Sequence, residues 1–341
     1  MRIAIKGLGR IGRSLLRQLV NNHEIEIKLI YDLNPDVENI CYMINYDSIY
    51  GNLDDKFKQI NKNFIGNSSK EIKYLNKKNI DITDLNNIDV VVDSSGLNVN
   101  SKLINKLKSK IKNYIYTNYP KNQNCKYILN EINSKKSNFK NFFISSGTCD
   151  ANAILPIIDL IDKKFGIVNG NISTLHPWLS YQNLLDGPSK SVSDPGNIFS
   201  TYVLGRSSIN NIIPKTTSVV DVASKINSNI KSKFTSLSYR VPTNIVSSAE
   251  INMNLNKKIK KKDIINLLKN FENEQTINLI KVYNSPLTSL DFIKSPYSSN
   301  IDERWIETKN KSLRIVCWYD NEYGYTSRIV DLLNSINNYS F

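Results

Sequence analysis

Residues that could supply a nucleophile and a base are scarce in this chain. Among its 341 residues the only histidines are His23 and His176. Cys149 directly precedes residues 150–162, whose apolar spacing predicts a helix. The exposed N–H groups and the dipole at a helix N terminus stabilise a thiolate. Cys149 is therefore our candidate nucleophile. His176, at the predicted end of a strand over 172–175, is our candidate general base.

Each of these residues also has a purely structural interpretation. A lone cysteine at a strand–helix junction is often a small buried apolar residue, and a histidine at a strand end is often a loop residue. Beside a nicotinamide, a thiolate and an imidazole indicate one chemistry. The thiolate attacks an aldehyde, the imidazole takes the hydroxyl proton, a hydride leaves to the cofactor, and a thioester remains on the cysteine.

A glycine-rich turn near the N terminus predicts dinucleotide binding. Gly7, Gly9 and Gly12 have the spacing G-x-G-x-x-G between a predicted strand and a predicted helix. Asp32 ends the next predicted strand roughly 20 residues later, where a carboxylate accepts hydrogen bonds from ribose hydroxyls. That charge would repel the 2′-phosphate of NADP, so we predict NAD; a merely tight turn is the alternative. The remaining predicted cofactor-binding residues lie in the same turn or at later strand ends: Arg10, Ile11, Ser95 and Thr117.

The apolar patterning predicts two regions of different architecture. Up to about residue 150, short apolar strands alternate with helical stretches, which is typical of a parallel sheet with helices on both faces. After Pro156, apolar and polar residues alternate, as in half-exposed strands of an antiparallel sheet. The predicted strands lie at 2–6, 25–31, 88–93, 114–117 and 142–145, and then at 172–175, 236–239, 250–253 and 313–319.

From these elements we predict an α/β fold: a Rossmann-type doubly wound parallel sheet plus an antiparallel α+β catalytic domain. The NAD-binding domain would span 1–149 and be completed by a C-terminal helix at 322–341. The catalytic domain would span 150–321. A stretch over roughly 182–215 shows little periodicity, and loops of that length are uncommon unless they are functional.

Composition excludes several classes of protein and of site. The chain is 40% apolar and 22% charged, as in globular proteins, and no apolar run is long enough to cross a membrane. Its four cysteines show no paired spacing, so we expect reduced thiols, a cytoplasmic location and no metal site. The net charge of +14 raises the question of an acidic partner. The lysines are scattered, however, and the densest run, at 257–262, is interpreted as a solvated connector, so we expect no nucleic-acid partner.

Several segments, ordered along nearly the whole chain, resemble the glyceraldehyde-3-phosphate dehydrogenase family. Taken together they are very specific. They are IKGLGRIGR at 5–13, YDSIYG at 46–51, LLDGP at 184–188, NIIP at 211–214, YRVPT at 239–243 and WYDNEYGY at 318–325.

The resemblance implies roles for residues in both predicted domains. It implies a nucleophile at Cys149, a base at His176, contact of Asn321 with the nicotinamide carboxamide, and contact of Arg240 with the substrate. It also implies oxidation of glyceraldehyde 3-phosphate and a homotetramer joined partly through the stretch at 182–215. The remaining predicted substrate-binding residues are Thr148, Asp150, Thr217 and Ser218.

Around the predicted phosphate sites the chain departs from the family pattern. The family segment Ser-Cys-Thr-Thr-Asn is here TCDAN at 148–152, so Asp150 stands beside the nucleophile. Leu204 stands where the family has an arginine. Leu179 and Tyr181 replace a hydroxyl residue and an acidic residue, and Ser218 replaces a glycine. We therefore predict weakened use of inorganic phosphate as acyl acceptor. The alternatives are tolerated drift and an Asp150 that caps the helix and points away.

The predicted function is NAD-dependent oxidation of a small aldehyde, phosphorylated or not, through a Cys149 thioester. Two alternatives stay open. One is a non-phosphorylating relative, resembling an erythrose-4-phosphate dehydrogenase or acting on another small aldehyde. The other is a moonlighting protein that binds NAD or nucleic acid without catalysis.

Overall fold

The structure is a computed structural model that describes residues 1–120, 124–134, 139–191 and 196–339. Packing separates two units. The first comprises Met1–Asn130, Ser134–Gly147 and the chain from Thr326 onward, and the second comprises Glu131–Asn133 and Thr148–Tyr325. The predicted division of function at 149/150 stays a prediction, because packing alone assigns no function.

Parallel strands dominate the first unit. Its elements are β1 (Arg2–Lys6), α1 (Arg10–Leu19), β2 (Glu26–Asp32), α2 (Val37–Asn45), β3 (Tyr46–Asp47), β4 (Gly51–Asn52), β5 (Lys58–Asn61), β6 (Phe64–Gly66), β7 (Glu71–Asn76), β8 (Val90–Asp93), α3 (Ile104–Lys108), β9 (Asn113–Tyr116), β10 (Lys126–Tyr127) and β11 (Phe143–Ser145). They form a sheet in the order β10-β11-β9-β8-β1-β2-β7-β6-β5, parallel from β10 to β7, with β3 and β4 as a separate hairpin.

The predicted doubly wound class is confirmed, and its apolar strands are the buried ones. Ile3, Ala4 and Ile5 of β1 and Val90–Val92 of β8 are fully buried, as expected for strands covered on both faces. The helical stretches predicted between the later strands were partly wrong. Between β8 and β9 there is only α3 after a 3₁₀ turn, and the described residues between β9 and β11 contain no α-helix. Residues 121–123 and 135–138 of that segment lie outside the described part.

The second unit is built on a mostly antiparallel sheet. Its elements are α4 (Cys149–Phe165), β12 (Ile167–Pro177), β13 (Ile213–Lys215), α5 (Val219–Ile226), α6 (Asn229–Lys233), β14 (Phe234–Val241), β15 (Ser247–Leu255), α7 (Lys261–Glu274), β16 (Ile280–Tyr283), β17 (Ser299–Asp302), β18 (Glu307–Lys309) and β19 (Ser312–Tyr319). The last helix, α8 (Tyr323–Asn337), begins at the end of this unit and belongs to the first unit from Thr326 onward. The strand order is β13-β14-β12-β15-β19-β17-β16, and β18 pairs with β19.

Two details of this sheet differ from the sequence prediction. β12 pairs with β14 in parallel, because α5 and α6 lie in the connection and supply the crossover that a parallel pair needs. β12 also continues through His176 and Pro177, past its predicted end at residue 175. The pairing of β12 with β15 ends at Leu175. Because that side of the strand is unpaired at Pro177, the N–H that proline lacks removes no hydrogen bond between these two strands.

The stretch at 182–215 is largely irregular where it is described. It contains a 3₁₀ turn at Tyr202–Gly205 and the short strand β13, while residues 192–195 lie outside the described part. Several of its large apolar side chains are exposed: Leu184, Leu185, Ile198, Tyr202 and Ile212. Among the described helices, none combines the length and the apolar character needed to cross a membrane.

Candidate active site

Cys149 is the first residue of α4, which begins one residue before the predicted helix at 150–162. Thr148 is the N-cap, and its hydroxyl accepts a hydrogen bond from the backbone N–H of Ala151 at 3.3 Å. A threonine cap of this kind satisfies one of the open N–H groups of the first turn. The cap holds the start of α4 and thereby the position of the thiol.

His176 faces the thiol from the end of β12. Its Nε2 lies 3.7 Å from Sγ of Cys149, and its Nδ1 lies 2.8 Å from the carbonyl oxygen of Pro177. A carbonyl only accepts hydrogen bonds, so Nδ1 carries the proton of the neutral ring. Nε2 then has a free lone pair directed at the sulfur. The two residues predicted as nucleophile and base are therefore brought together in the geometry that proton transfer requires.

Burial keeps both groups uncharged at rest. Burial, together with the charge of Arg240, lowers the pKa of His176 to about 4. Burial and the adjacent carboxylate of Asp150 raise the pKa of the Cys149 thiol well above its ordinary value. The dipole at the helix N terminus favours a thiolate, but burial and the neighbouring negative charge of Asp150 outweigh it. The resting pair is a thiol and a neutral imidazole.

Asp150 turns into the site instead of capping the helix. Its Oδ1 accepts a hydrogen bond from the Tyr319 hydroxyl at 2.8 Å, and its Oδ2 accepts one from the Thr217 hydroxyl at 3.0 Å. The Cys149 thiol donates to the same Oδ1 at 3.5 Å. Burial would raise the pKa of this carboxyl, but the hydrogen bonds from Tyr319 and Thr217 and the charge of Arg240 lower it overall. Asp150 is a buried carboxylate in contact with the nucleophile.

Tyr319 was not among the predicted site residues. It is the last residue of β19, is almost fully buried, and contributes to the site only its hydroxyl. Tyr319 belongs to the segment WYDNEYGY, close to Asn321 and at the end of a predicted strand. That position was the sequence signal that could have identified Tyr319 as a site residue. Ser218, which was predicted, is the N-cap residue of α5 and makes no side-chain capping bond.

Arg240 supplies a buried positive charge beside His176. The two residues are register partners in the parallel pair of β12 and β14. Arg240 is 5% exposed, and its Nε has no hydrogen-bond partner among the described residues. A buried guanidinium N–H without a partner is costly, and an anionic group is the partner that satisfies it best. Arg240 therefore fits the predicted contact with an anionic part of a substrate.

Three possible metal ligands also converge at this point. Donor atoms of Cys149, Asp150 and His176 lie within 4.8 Å of one another, the only such group of three among the described residues. All three already interact through hydrogen bonds that suit thiol chemistry. The expectation of no metal site stays a prediction.

The glycine turn of the first unit has the features that a pyrophosphate needs. Gly7 has φ +90°, a left-handed value that favours glycine, and a Cβ at Gly12 would collide with the Gly7 carbonyl oxygen. At Gly9, the N-cap of α1, a Cβ would meet nothing within 4 Å, and no side chain caps the helix. The turn therefore has the form of a helix N terminus that can bind an anion.

Asp32 lies where a ribose-binding carboxylate is expected. Its Oδ2 accepts a hydrogen bond from the N–H of Leu8 at 2.7 Å, which ties the end of β2 to the turn after β1. The sheet order reverses between β1 and β8, and ligands of doubly wound sheets bind at such a reversal. The described residues of this unit therefore fit NAD.

Of the other predicted cofactor residues, four lie in the first unit and one, Asn321, lies in the second unit. Ser95 follows β8, and its N–H and hydroxyl both donate to Asp93. Thr117 follows β9, with its hydroxyl donating to the Asp93 carbonyl at 3.2 Å. The Arg10 guanidinium pairs with Asp47 at 2.5 Å, so its side chain is engaged within the protein. The two remaining residues are Ile11, on the first turn of α1, and Asn321, whose buried Oδ1 has no hydrogen-bond partner among the described residues.

An orphaned buried amide oxygen suits an amide donor. Asn321 is only 5% exposed, so an unpaired carbonyl oxygen on its side chain carries a desolvation penalty. A carboxamide N–H would relieve that penalty. The predicted contact with a nicotinamide carboxamide fits this observation and stays a prediction.

Comparison with known proteins agrees with this reading of the residues. Residues 1–101 match the family described as glyceraldehyde 3-phosphate dehydrogenase, NAD binding domain, and residues 148–321 match its C-terminal domain. The protein named glyceraldehyde-3-phosphate dehydrogenase 2 of Staphylococcus epidermidis is 29% identical over 340 residues, covering 98% of this chain and 95% of the relative. The protein of the same name from Staphylococcus aureus is 30% identical over 341 residues, with the same coverage.

The matches extend over both units and include the glycine turn, Cys149 and His176. The protein is an NAD-dependent dehydrogenase, and NAD is its cofactor. The chain belongs to the glyceraldehyde 3-phosphate dehydrogenase family.

Proposed function

We propose that this protein oxidises a small sugar aldehyde with NAD through a thioester on Cys149, and that glyceraldehyde 3-phosphate is the first substrate to test. One observation carries the proposal: Nε2 of His176 lies 3.7 Å from the thiol sulfur, while Nδ1 is held by the Pro177 carbonyl. This arrangement supports transfer of the thiol proton to a neutral base as the sulfur attacks a carbonyl carbon.

Each step then follows from groups that the site contains. The thiol proton first turns from Oδ1 of Asp150 towards Nε2 of His176. The Cys149 sulfur then attacks the aldehyde carbon as its proton passes to Nε2. The resulting imidazolium protonates the new alkoxide, which gives a hemithioacetal. His176 takes the hydroxyl proton back as the carbonyl re-forms, and a thioester is left on Cys149. Bound NAD supplies the hydride acceptor in this last step.

The surroundings of the thiol support an anionic aldehyde as substrate. Arg240 is buried, and its Nε lacks a partner among the described residues. A phosphate or another anion on the substrate would pair with it. A phosphorylated sugar aldehyde is therefore the proposed class, and an erythrose 4-phosphate-type substrate is the second candidate, since the same guanidinium would hold it.

A homotetramer in the cytoplasm is part of the proposal. Large apolar side chains of the stretch at 182–215 are exposed, among them Leu185 and Tyr202. Exposed large apolar side chains concentrated in one segment are typical of contacts between chains. The four cysteines are free, which agrees with a reducing compartment.

Binding of nucleic acid without catalysis has weaker support. A cleft of about 1200 Å³ on the second unit is lined by several cations. Four of them form ion pairs with carboxylates: Lys231 with Asp221, Lys233 with Asp162, Arg304 with Asp302, and Arg314 with Glu307. Paired cations release few counterions on meeting a polyanion, so this cleft would contribute little to such binding.

A screen of aldehydes tests the proposal directly. NADH formation is followed with glyceraldehyde 3-phosphate, erythrose 4-phosphate and glyceraldehyde, for the wild type and for Cys149→Ser, His176→Asn and Cys125→Ser. Cys149→Ser should bind NAD and form no NADH, because no thioester can form. His176→Asn should form the thioester about 10²–10⁴-fold more slowly, the usual loss of a general base.

Cys125→Ser is the matched control, since this partly buried cysteine lies in the first unit. It should keep wild-type activity. Turnover by Cys149→Ser, or no NADH from the wild type with any of these aldehydes, would reject the proposed function. A loss smaller than tenfold in His176→Asn would reduce His176 to a positioning residue.

A further inference from the structure

We propose that Asp150 makes water the acceptor of the acyl group, so that the product is a free acid and not an acyl phosphate. The inference rests on the proposed Cys149 thioester. Asp150 acts in two ways: it repels anionic acceptors, and it takes the proton of the water that hydrolyses the thioester.

The position of the carboxylate is the first support. Oδ1 of Asp150 lies 3.5 Å from Sγ of Cys149, and the two oxygens are held by Tyr319 at 2.8 Å and by Thr217 at 3.0 Å. The residue is 8% exposed. A carboxylate fixed by hydrogen bonds from two other chain segments cannot swing out to solvent without breaking them. Any acceptor that reaches the thioester must therefore approach beside this charge.

Repulsion is stronger at such a site than in water. Charges in a buried environment are screened little, and phosphate carries one or two negative charges at neutral pH. Two of the hydroxyls that could otherwise donate to an anion, those of Thr217 and Tyr319, already donate to Asp150. Asp150 thus adds a charge that repels phosphate and also occupies two hydroxyl donors that could otherwise bind it. Water meets neither obstacle.

Acylation itself prepares the carboxylate for water. At rest Oδ1 accepts two hydrogen bonds, one from the Tyr319 hydroxyl and one from the Cys149 thiol. A carboxylate oxygen has two lone-pair positions, so Oδ1 is then fully used. A thioester sulfur has no proton to donate. Formation of the thioester therefore frees one position on Oδ1, directed at the acylated sulfur, where a water can donate.

The hydrolysis step balances without another reactant. The water oxygen bonds to the thioester carbon while Oδ1 of Asp150 takes one water proton. The carbon–sulfur bond then breaks and its electron pair stays on the sulfur. The proton returns from Asp150 to that sulfur along the hydrogen bond seen at rest. A carboxylic acid leaves, which ionises, and the thiol is restored.

The experiment separates formation of the thioester from its breakdown. Wild-type protein, glyceraldehyde 3-phosphate and NAD are mixed rapidly, and the NADH burst and the later steady rate are recorded with increasing phosphate or arsenate. Water labelled with ¹⁸O identifies the product. We expect a burst, a steady rate independent of phosphate, and one labelled oxygen in a free acid.

Two variants on the same helix test the residue. Asp150→Asn keeps the shape and loses the charge, so it should keep the burst, slow hydrolysis about 10²–10⁴-fold as for a lost general base, and become faster with phosphate. Asp159→Asn is the control, because Asp159 lies on α4 away from this cluster and pairs with Lys163. It should behave as the wild type does.

The wild-type measurements stand even where Asp150→Asn does not fold. A steady rate that rises with phosphate and gives an acyl phosphate would overturn the inference alone. Unchanged hydrolysis in a folded Asp150→Asn would also overturn it. Absence of any NADH burst would instead reject the proposed function, and this inference with it.

Discussion

At the scale of single residues, Asp150 influences the pKa values of both of its titratable neighbours. Its carboxylate raises the pKa of the Cys149 thiol, after burial the largest influence on that group. The same charge partly opposes the lowering of the His176 pKa by burial and by Arg240. The site therefore holds its nucleophile protonated and its base neutral. The thiol loses its proton only when a carbonyl carbon is available to the sulfur.

This charge state predicts the reactivity of the thiol. Alkylation of Cys149 by iodoacetamide should rise about tenfold per pH unit from neutral to alkaline pH, because only the thiolate reacts and the thiol pKa lies above that range. Asp150→Asn should react faster at a given pH, because loss of the carboxylate charge lowers the pKa of the thiol and so increases the fraction of thiolate.

The measurement is mass-spectrometric labelling of Cys149 against pH, with Asp159→Asn as the control for a lost charge on the same helix. A wild-type rate that is already flat below neutral pH would show a thiolate–imidazolium pair. Equal rates in the wild type and Asp150→Asn would show that the carboxylate does not influence the sulfur.

At the scale of elements, the edge of the parallel sheet is organised by side chains from adjacent strand ends. Lys6 at the end of β1 pairs with the buried Asp93 at the end of β8 at 2.9 Å, and Tyr114 donates to the same carboxylate. Asp93 in turn accepts from Ser95. The loops that follow β1 and β8 are thereby tied together, which shapes the turn where a pyrophosphate would bind.

Asp32, at the end of β2, should decide between cofactors. Asp32→Asn retains a hydrogen-bond acceptor for the Leu8 N–H but has no charge to repel a 2′-phosphate. The ratio of kcat/KM for NAD to that for NADP should fall at least about tenfold, which corresponds to about 1.4 kcal/mol of lost discrimination. Asp32→Ala should show the same change together with a lower melting temperature.

The measurement is steady-state kinetics with both cofactors, beside thermal unfolding of each variant. The two variants together separate the effect of charge from the effect of the lost hydrogen bond. A wild type that uses NAD and NADP equally well would contradict the role of Asp32.

At the scale of the whole molecule, a buried neutral imidazole couples unfolding to pH. The ordinary pKa of histidine, about 6.5, applies in the unfolded chain, whereas the pKa of folded His176 is about 4. Between these values the unfolded state binds a proton that the folded state does not, so stability falls as pH falls through this window. Arg240 and Lys215 act against protonation of the folded ring, and Asp150 acts in its favour.

We therefore expect His176→Asn to flatten the pH dependence of stability. The wild type should lose on the order of 2–3 kcal/mol between pH 6.5 and pH 4 through this group, and the variant should not. Thermal unfolding followed by calorimetry across this range measures the difference. His23→Asn is the control, because His23 is exposed. Parallel curves for the wild type and His176→Asn would contradict the expected coupling.

Features set by neighbouring residues could be predicted from the sequence alone. The glycine turn, the acid after the second strand and the cysteine before a helix depend on spacing over a few turns or strands, and the periods of helices and strands are local properties. Strand limits near these motifs are within about two residues of prediction, because buried apolar runs end where the chain turns. The polar strand β5 and the short strands near it had no such signal, since all of β5 is exposed.

Features that depend on distant partners were decided only by the tertiary structure. The direction of Asp150 depends on hydroxyls that are 67 and 169 residues away in the chain. The parallel pairing that places Arg240 beside His176 joins strands separated by two helices. The sequence determined which chemical groups are present and that a thiol begins a helix. Their protonation states follow from burial and from charges brought close by folding, because desolvation and Coulomb energies depend on distance in space and not on distance along the chain.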